Sequence, residues 1–187
     1  MIYEAIVLGV SAGGLKALTT LFTNIKDSFK IPILLVQHMH AGSDDYLARY
    51  LASICKLTVK EADEKERIKN KTVYIAPANY HLMIEDDKTL SLTIDQKVNY
   101  SRPSIDVLFE SAVDVYNDKL IGVILTGAND DGARGMEQIK KAGGLTIIQN
   151  PKTAEVASMP EAVTKRIKPD HILELEAIAK LLNSITI

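Results

Sequence analysis

The sequence predicts one α/β domain: a doubly wound, mostly parallel sheet with helices on both faces, three layers in all. Three observations carry this. Near-continuous apolar runs at 5–10, 31–36 and 120–125 have the length of strands and leave no polar face, as strands buried on both sides require. Each run ends in a polar, glycine-bearing loop and then a helical pattern, the alternation that builds β-α-β units. The 187 residues suffice for one sizeable core, and no repeat, linker or low-complexity stretch divides them, so a single domain is expected over 1–187.

In chain order, Ala5 to Val10 reads as a strand that turns at Ser11 into a helix over 15–21, with Leu15, Leu18, Leu21 and Phe22 as its buried stripe. Ile31 to Val36 is the second buried strand, and Asp44 to Leu51 a helix capped by Ser43 or Asp44. From 57 to about 95 the rhythm changes to short strand-like pieces, 57–61, 72–76, 80–84 and 90–94. No helix among them is long enough to cross over, and Asp86-Asp87-Lys88 reads as a hairpin turn, so an insertion with antiparallel strands at one sheet edge is expected. Ser104 caps a helix over 105–116 with Asp106 in its first turn. Leu120 to Leu125 is the third strong strand, and a helix over 132–142 stops at Gly143-Gly144. A strand follows at 145–149, then a loop, a short helix with Pro160 at its first position, and a last helix over 175–182.

Composition excludes several classes. A net charge of −2 with scattered lysines and arginines argues against nucleic acid or an anionic membrane as the main partner. No apolar run reaches the ~18 residues of a membrane span, and Glu4 with no basic segment before it argues against a signal peptide. The single cysteine, Cys55, permits no internal disulfide, suits a reducing cytoplasm, and is read as an ordinary buried thiol rather than a nucleophile. His38-Met39-His40 offers two imidazoles with no third ligand nearby, so no metal site is expected.

The chemistry lies in the loops after the three apolar strands. Gly9-Val10-Ser11-Ala12-Gly13 fits G-x-S-x-G, in which glycines relieve a sharp strand-to-helix turn and the serine hydroxyl stands above the sheet edge at a helix N-terminus. Taken alone, the same turn also fits a phosphate-binding loop, but it lacks the spacing of G-x-G-x-x-G and the lysine of the P-loop. In open α/β sheets the functional crevice lies outside the carboxyl ends of the strands. Ser11, His38 and Asp131 should therefore converge there, as nucleophile, general base and orienting acid. His40 is the alternative to His38, and Asp130 to Asp131, since the pattern does not choose within either pair. The Ala12 N–H and the Gly127–Ala128 turn are the candidate oxyanion donors. The order Ser, His, Asp differs from the Ser, Asp, His of α/β-hydrolases, which disfavours that fold.

Seven segments resemble the catalytic domain of the CheB-type chemotaxis-receptor protein-glutamate methylesterases, in the same order and spacing. They are G-V-S-A-G-G at 9–14, V-Q-H-M at 36–39, C-K-L-T-V-K-E-A at 55–62, V-Y-I-A-P-A-N-Y-H-L at 73–82, S-R-P-S-I-D-V-L-F at 101–109, L-T-G-A-N-D-D-G-A-R-G-M at 125–136 and A-S-M-P-E-A-V at 157–163. The resemblance implies a cytoplasmic serine esterase of chemotactic signal transduction. It would hydrolyse glutamate γ-methyl esters on cytoplasmic helices of methyl-accepting receptors and release methanol, with deamidation of receptor glutamines as a second activity. It also implies Ser11, His38 and Asp131 as the triad, no cofactor, and a substrate-positioning role for Arg102, against which stands an ion pair of Arg102 with Asp106. Two positions depart from the family: Ala128 stands where a methionine is usual, and Asp130 adds a charge beside the triad acid, which would favour protonation of His38 if both carboxylates lie close to it. A first strand beginning at residue 3 leaves no room ahead of it for the family's phospho-receiver domain, so control by a separate response-regulator protein, or none in cis, is expected. The readings that compete are a catalytically lapsed adaptor of the same fold and a nucleotide-binding module using Gly9–Gly14.

Overall fold

A computed structural model describes residues 3–185. Seven strands form one parallel sheet: β1 (Ala5–Val10), β2 (Ile33–Gln37), β3 (Thr58–Glu61), β4 (Thr72–Ile75), β7 (Leu120–Ile124), β8 (Leu145–Gln149) and β9 (His171–Leu173). Their spatial order is β3-β4-β2-β1-β7-β8-β9, every pair parallel. The remaining two strands, β5 (His81–Ile84) and β6 (Leu90–Thr93), make a separate antiparallel hairpin. The helices are α1 (Gly14–Thr23), α2 (Tyr46–Ile54), α3 (Ile105–Tyr116), α4 (Ala133–Lys141), α5 (Ser158–Arg166) and α6 (Leu175–Ile185).

The apolar runs have the two-sided character the sequence predicts. Within β1, Ile6, Leu8 and Val10 pack with α1, α2 and α6 on one face, while Ala5 and Val7 pack with α3, α4, α5 and the hairpin on the other. Alternate residues thus feed two separate cores, which is why no position of the strand tolerates a polar side chain.

The structure departs from the sequence reading in five places. The 57–95 segment is only half an antiparallel insertion. β3 and β4 join the main sheet in parallel, β4 beside β2, and the crossover between them runs through 62–71 with no helix. Among the strands only β5 and β6 pair antiparallel, extended by a single antiparallel bridge between Arg67 and Thr89, and they pack on α3. Leu15 is not in the buried stripe of α1: the helix starts at Gly14, so the inward phase falls on 14, 17, 18, 21 and 22 and leaves Leu15 46% exposed. α2 begins at Tyr46 rather than Asp44, because the Asp44 carboxylate turns back to accept the Tyr46 N–H at 3.1 Å. Pro160 is the third residue of α5, a first-turn position where its missing N–H would have had no partner in any case. β9 is an additional edge strand, three residues long and partly exposed.

Candidate active site

The three polar loops sit on adjacent strands, because β2, β1 and β7 are neighbours and β1 is where the winding reverses direction. The ladder runs straight into the loops. His38 N–H donates to Val10 O at 3.1 Å, Ser11 N–H to Thr126 O at 3.0 Å, and Leu125 N–H to Gly9 O at 3.0 Å. The sheet itself therefore sets Ser11 between the other two loops. The glycines of the turn are sterically required. A Cβ on Gly9 would lie 2.5 Å from the Ile105 side chain, and Gly13 sits at φ 77°, where an L side chain is strained.

His38 bridges the other two residues. Its Nδ1 lies 3.2 Å from Ser11 Oγ and its Nε2 lies 2.7 Å from Asp131 Oδ2. Asp131 is fully buried and His38 is 12% exposed. Asp131 comes from the 125–132 loop and works as a cap for a different helix. Its Oδ2 also accepts the Ile105 N–H at 2.7 Å, and its Oδ1 accepts from the Asp106 N–H at 3.0 Å, Ser104 Oγ–H at 2.8 Å and Asn99 Nδ2–H at 3.1 Å. Ser104, predicted to cap α3, stands at the N-cap position but gives its hydroxyl to Asp131 instead. Burial by itself would raise the Asp131 carboxyl; the His38 hydrogen bond and the Ile105 and Asp106 N–H groups outweigh it and hold the group below its ordinary value. A carboxylate that takes five donors cannot supply a proton, so Nε2 carries the hydrogen of the neutral imidazole and Nδ1 is left bare to face the serine.

Asp106 returns the favour to α4. It is 3% exposed, and its Oδ1 accepts the Gly135 N–H at 2.8 Å in the first turn of that helix. Its Oδ2 accepts from Asn99 Nδ2 at 3.0 Å. Burial raises the Asp106 carboxyl, the Gly135 N–H opposes that, and the neighbouring charge of Asp131 adds to it.

On the other side of Ser11, the Gly127–Ala128 turn is pressed close: a Cβ on Gly127 would stand 3.0 Å from Ser11 Cβ and 2.2 Å from Met159 Sδ. Gly127 N–H is used by Val156 O, but Ala12 N–H and Ala128 N–H make no hydrogen bond among the described residues. Thr126 holds the two loops together, donating its hydroxyl to Ala12 O at 2.8 Å and accepting the Val156 N–H at 2.9 Å. Gln37, which the sequence reading passed over, donates from Nε2 to both Ser11 O (3.1 Å) and His38 O (2.9 Å), tying the two loops together at the backbone. Its only sequence signal is an amide ending an apolar strand beside the histidine.

Within the pairs that the pattern left open, the structure chooses. His40 turns away, accepting the Gly42 N–H on its Nδ1 at 3.2 Å. Asp130 is exposed, makes no hydrogen bond or ion pair with His38 among the described residues, and uses its carbonyl to accept the Ala133 N–H at 3.1 Å. The second carboxylate coupled to the triad is therefore Asp106, not Asp130. Arg102 makes no ion pair with Asp106: its guanidinium donates to Asn79 Oδ1 at 2.8 Å and 3.2 Å, and to the carbonyls of Ile94 at 2.6 Å and Asp95 at 2.9 Å. It clamps the 94–102 loop and stands on the rim of the cleft beside His38. Cys55 is partly buried and its thiol is pushed up by burial, which disfavours the nucleophilic thiolate. Among the described residues no group of three or more histidine, cysteine or acidic side chains is arranged to hold a metal, and no helix is long and apolar enough to cross a membrane.

Two shallow clefts flank the Ser11–His38 pair and share Met39. One, of about 430 Å³, runs from Ser11 past Leu15, Lys16, Tyr46 and Leu47. The other, of about 220 Å³, runs from His38 past Lys97, Tyr100 and Arg102. A nucleotide fits the Gly9–Gly14 turn poorly, since the Glu155 side chain lies over Gly13 and puts an acid where a phosphate would sit.

Residues 6–182 match the family described as CheB methylesterase. A protein of Leptospira interrogans serogroup Icterohaemorrhagiae serovar copenhageni, named putative protein-glutamate methylesterase/protein-glutamine glutaminase, is 56% identical over 181 residues, 97% of this chain and 94% of that protein. A Borreliella burgdorferi protein named probable protein-glutamate methylesterase is 40% identical over 188 residues, 99% of this chain but 50% of that protein. The solved structure of the Thermotoga maritima CheB methylesterase catalytic domain matches with a TM-score of 0.94 at 35% identity, covering 99% of this chain and 100% of that one.

Proposed function

The chain belongs to the CheB methylesterase family, and from that premise we propose a double displacement at Ser11 as the way it works. It is a protein-glutamate methylesterase and protein-glutamine glutaminase. Ser11 Oγ attacks the γ-carbonyl carbon of a methyl-esterified glutamate while His38 Nδ1 takes the hydroxyl proton. The oxyanion of the tetrahedral intermediate is received by the free N–H groups of Ala12 and Ala128, on either side of Ser11. His38 then returns the proton to the departing methoxide, which leaves as methanol. Water, activated by the same nitrogen, hydrolyses the acyl-serine and restores the glutamate carboxylate. With a glutamine the leaving group is ammonia and the rest is unchanged. Asp131 keeps the imidazole turned so that Nδ1 faces Ser11, and its charge stabilises the imidazolium.

The observation that carries this reading is the His38 ring held between Ser11 at 3.2 Å and a buried, five-donor Asp131 at 2.7 Å. The two shallow clefts suit a protein surface more than an enclosed small molecule, and the substrate we assign is a cytoplasmic helix of a chemoreceptor laid across Ser11 and His38. The test is methanol release from methyl-esterified receptor cytoplasmic fragments. The chain should release methanol, and Ser11→Ala should lower kcat by about 10⁴-fold or more. Release that survives Ser11→Ala at the wild-type rate would break the assignment of the nucleophile.

A further inference from the structure

We propose that Asn99 and Asp106 are positioning residues of this reaction: the Asn99 carboxamide, held by Asp106, locks the Asp131 carboxylate with Oδ2 on His38. The proposal rests on the triad reading above and concerns what keeps its acid in place.

Asn99 lies at the tip of a tight turn, where Val98 and Ser101 exchange backbone hydrogen bonds of 3.1 and 2.9 Å. Asn99 has φ 49° and the next residue, Tyr100, φ 62°. Two successive positive φ values make a primed turn, which suits asparagine in its first central position but strains a tyrosine in its second. Tyr100 is 98% exposed, so packing of its ring does not hold the strained turn. What the turn secures is the Asn99 amide, directed inward. Its one NH2 group has two hydrogens and meets two carboxylates, Asp106 Oδ2 at 3.0 Å and Asp131 Oδ1 at 3.1 Å. It thereby stands between two buried like charges and gives each a donor.

The consequence falls on Asp131. With Asn99, Ser104 and the Asp106 N–H all on Oδ1, the carboxylate cannot rotate without abandoning three hydrogen bonds, so Oδ2 stays on the imidazole. Asp106 is fixed in turn by Gly135 N–H, and the cation nearest it, Arg134, is 3.9 Å away and also paired with Glu110. The other titratable groups around the pair are His81, whose Nδ1 accepts the Ser104 N–H, and His40, Lys97, Tyr100 and Arg102, which line the cleft beside His38. None of these is hydrogen-bonded to the Asp131 carboxylate among the described residues.

Asn99→Gly removes the carboxamide while favouring the turn's positive φ, and Asp106→Asn removes one charge at nearly constant volume, its NH2 replacing one of the two oxygens that accept from Gly135 and Asn99. The measurements are kcat, KM and the pH profile of kcat/KM for methanol release, with thermal unfolding alongside. Loss of a partner behind a reacting group should lower kcat by about 10- to 100-fold in each variant with KM nearly unchanged. The acid limb, which reports deprotonation of the base, should move in opposite directions. It rises in Asn99→Gly, because an Asp131 with one donor fewer holds the imidazolium more tightly. It falls in Asp106→Asn, because a negative charge has gone. A merely structural role would lower activity without separating the two limbs. If Asp106→Asn folds poorly, Asn99→Gly alone decides, through lost kcat and a raised limb. Wild-type kcat in Asn99→Gly, or an unmoved limb, would overturn the proposal. Wild-type release insensitive to Ser11→Ala would instead remove the triad reading beneath it.

Discussion

On one side of the His38 ring, Asp131 is fully buried, takes five hydrogen bonds and anchors a helix; on the other, Ser11 meets the ring at 3.2 Å and opens on two shallow clefts. The acid half is built by the packing of α3 against α4: Asp131, in the loop leading into α4, caps α3, and Asp106, in the first turn of α3, caps α4. The nucleophile half is built by three strand ends and a turn too tight for side chains. The contrast separates two tasks. In the proposed reaction the His38 ring is oriented during folding, before any substrate arrives, whereas the space around Ser11 is left for the substrate to complete.

The sharpest way to break this division is Asp131→Asn, which puts an amide NH2 among five donors. It should lower kcat by about 10³- to 10⁴-fold and stability by about 1–3 kcal/mol, measured by methanol release and by urea unfolding. A variant that lost activity alone would show the acid half to be less structural than its caps suggest. Gly127→Ala tests the other half. Its Cβ would come within 2.2 Å of Met159 Sδ and 3.0 Å of Ser11 Cβ. Stability should fall by about 1–3 kcal/mol as Met159 is displaced, and kcat by about 10- to 100-fold as Ser11 shifts. Smaller still, Leu15→Ala and Tyr46→Ala should raise KM a few-fold for a methylated receptor fragment. They should leave kcat and a small ester unaffected, with stability within about 0.5 kcal/mol. Equal effects on both substrates would mean that this cleft holds no part of the protein substrate.

The smallest effect is on the pH dependence of stability. Asp131 lies below the ordinary aspartate value of 3.8, so its stabilisation is present above that pH and lost as pH falls through the folded-state value. Asp106 lies above 3.8 and carries the opposite sign: its cost is present at neutral pH and is relieved as pH falls towards 3.8. Urea unfolding of wild type and Asp131→Asn should therefore give curves that draw together below about pH 4. A gap unchanged down to about pH 2 would deny Asp131 its depressed titration.

Much of this division was legible in the chain. Ser11, His38 and Asp131 each follow a run apolar enough to mark a doubly buried strand, and the residues between them spell the family's segments. What was not legible has physical causes. β3 and β4 are legible as short strands at 57–61 and 72–76, but they join in parallel without a helix between them, so no crossover announces their direction. Leu15 is misplaced by one residue of helical phase, because the helix begins at a glycine that no apolar count includes. The Arg102 partners include two backbone carbonyls, which have no signature in the sequence. Asn99 and Asp106 read locally as a turn residue and a first-turn acid; their meaning comes from Asp131, 32 and 25 residues away.

One consequence of the Asp131 cap reaches beyond chemistry. The first-turn amides of a helix ordinarily face solvent and are among the earliest to exchange their hydrogens. In α3, the Ile105 and Asp106 amides are instead sealed under a buried carboxylate. Fraying at the start of this helix would break the Asp131 hydrogen bonds, so hydrogen exchange should find these two amides opening only with the whole domain. On heating, the acid should accordingly lose its grip on the imidazole at the global melting transition and not before it, and thermal inactivation and melting should share one midpoint.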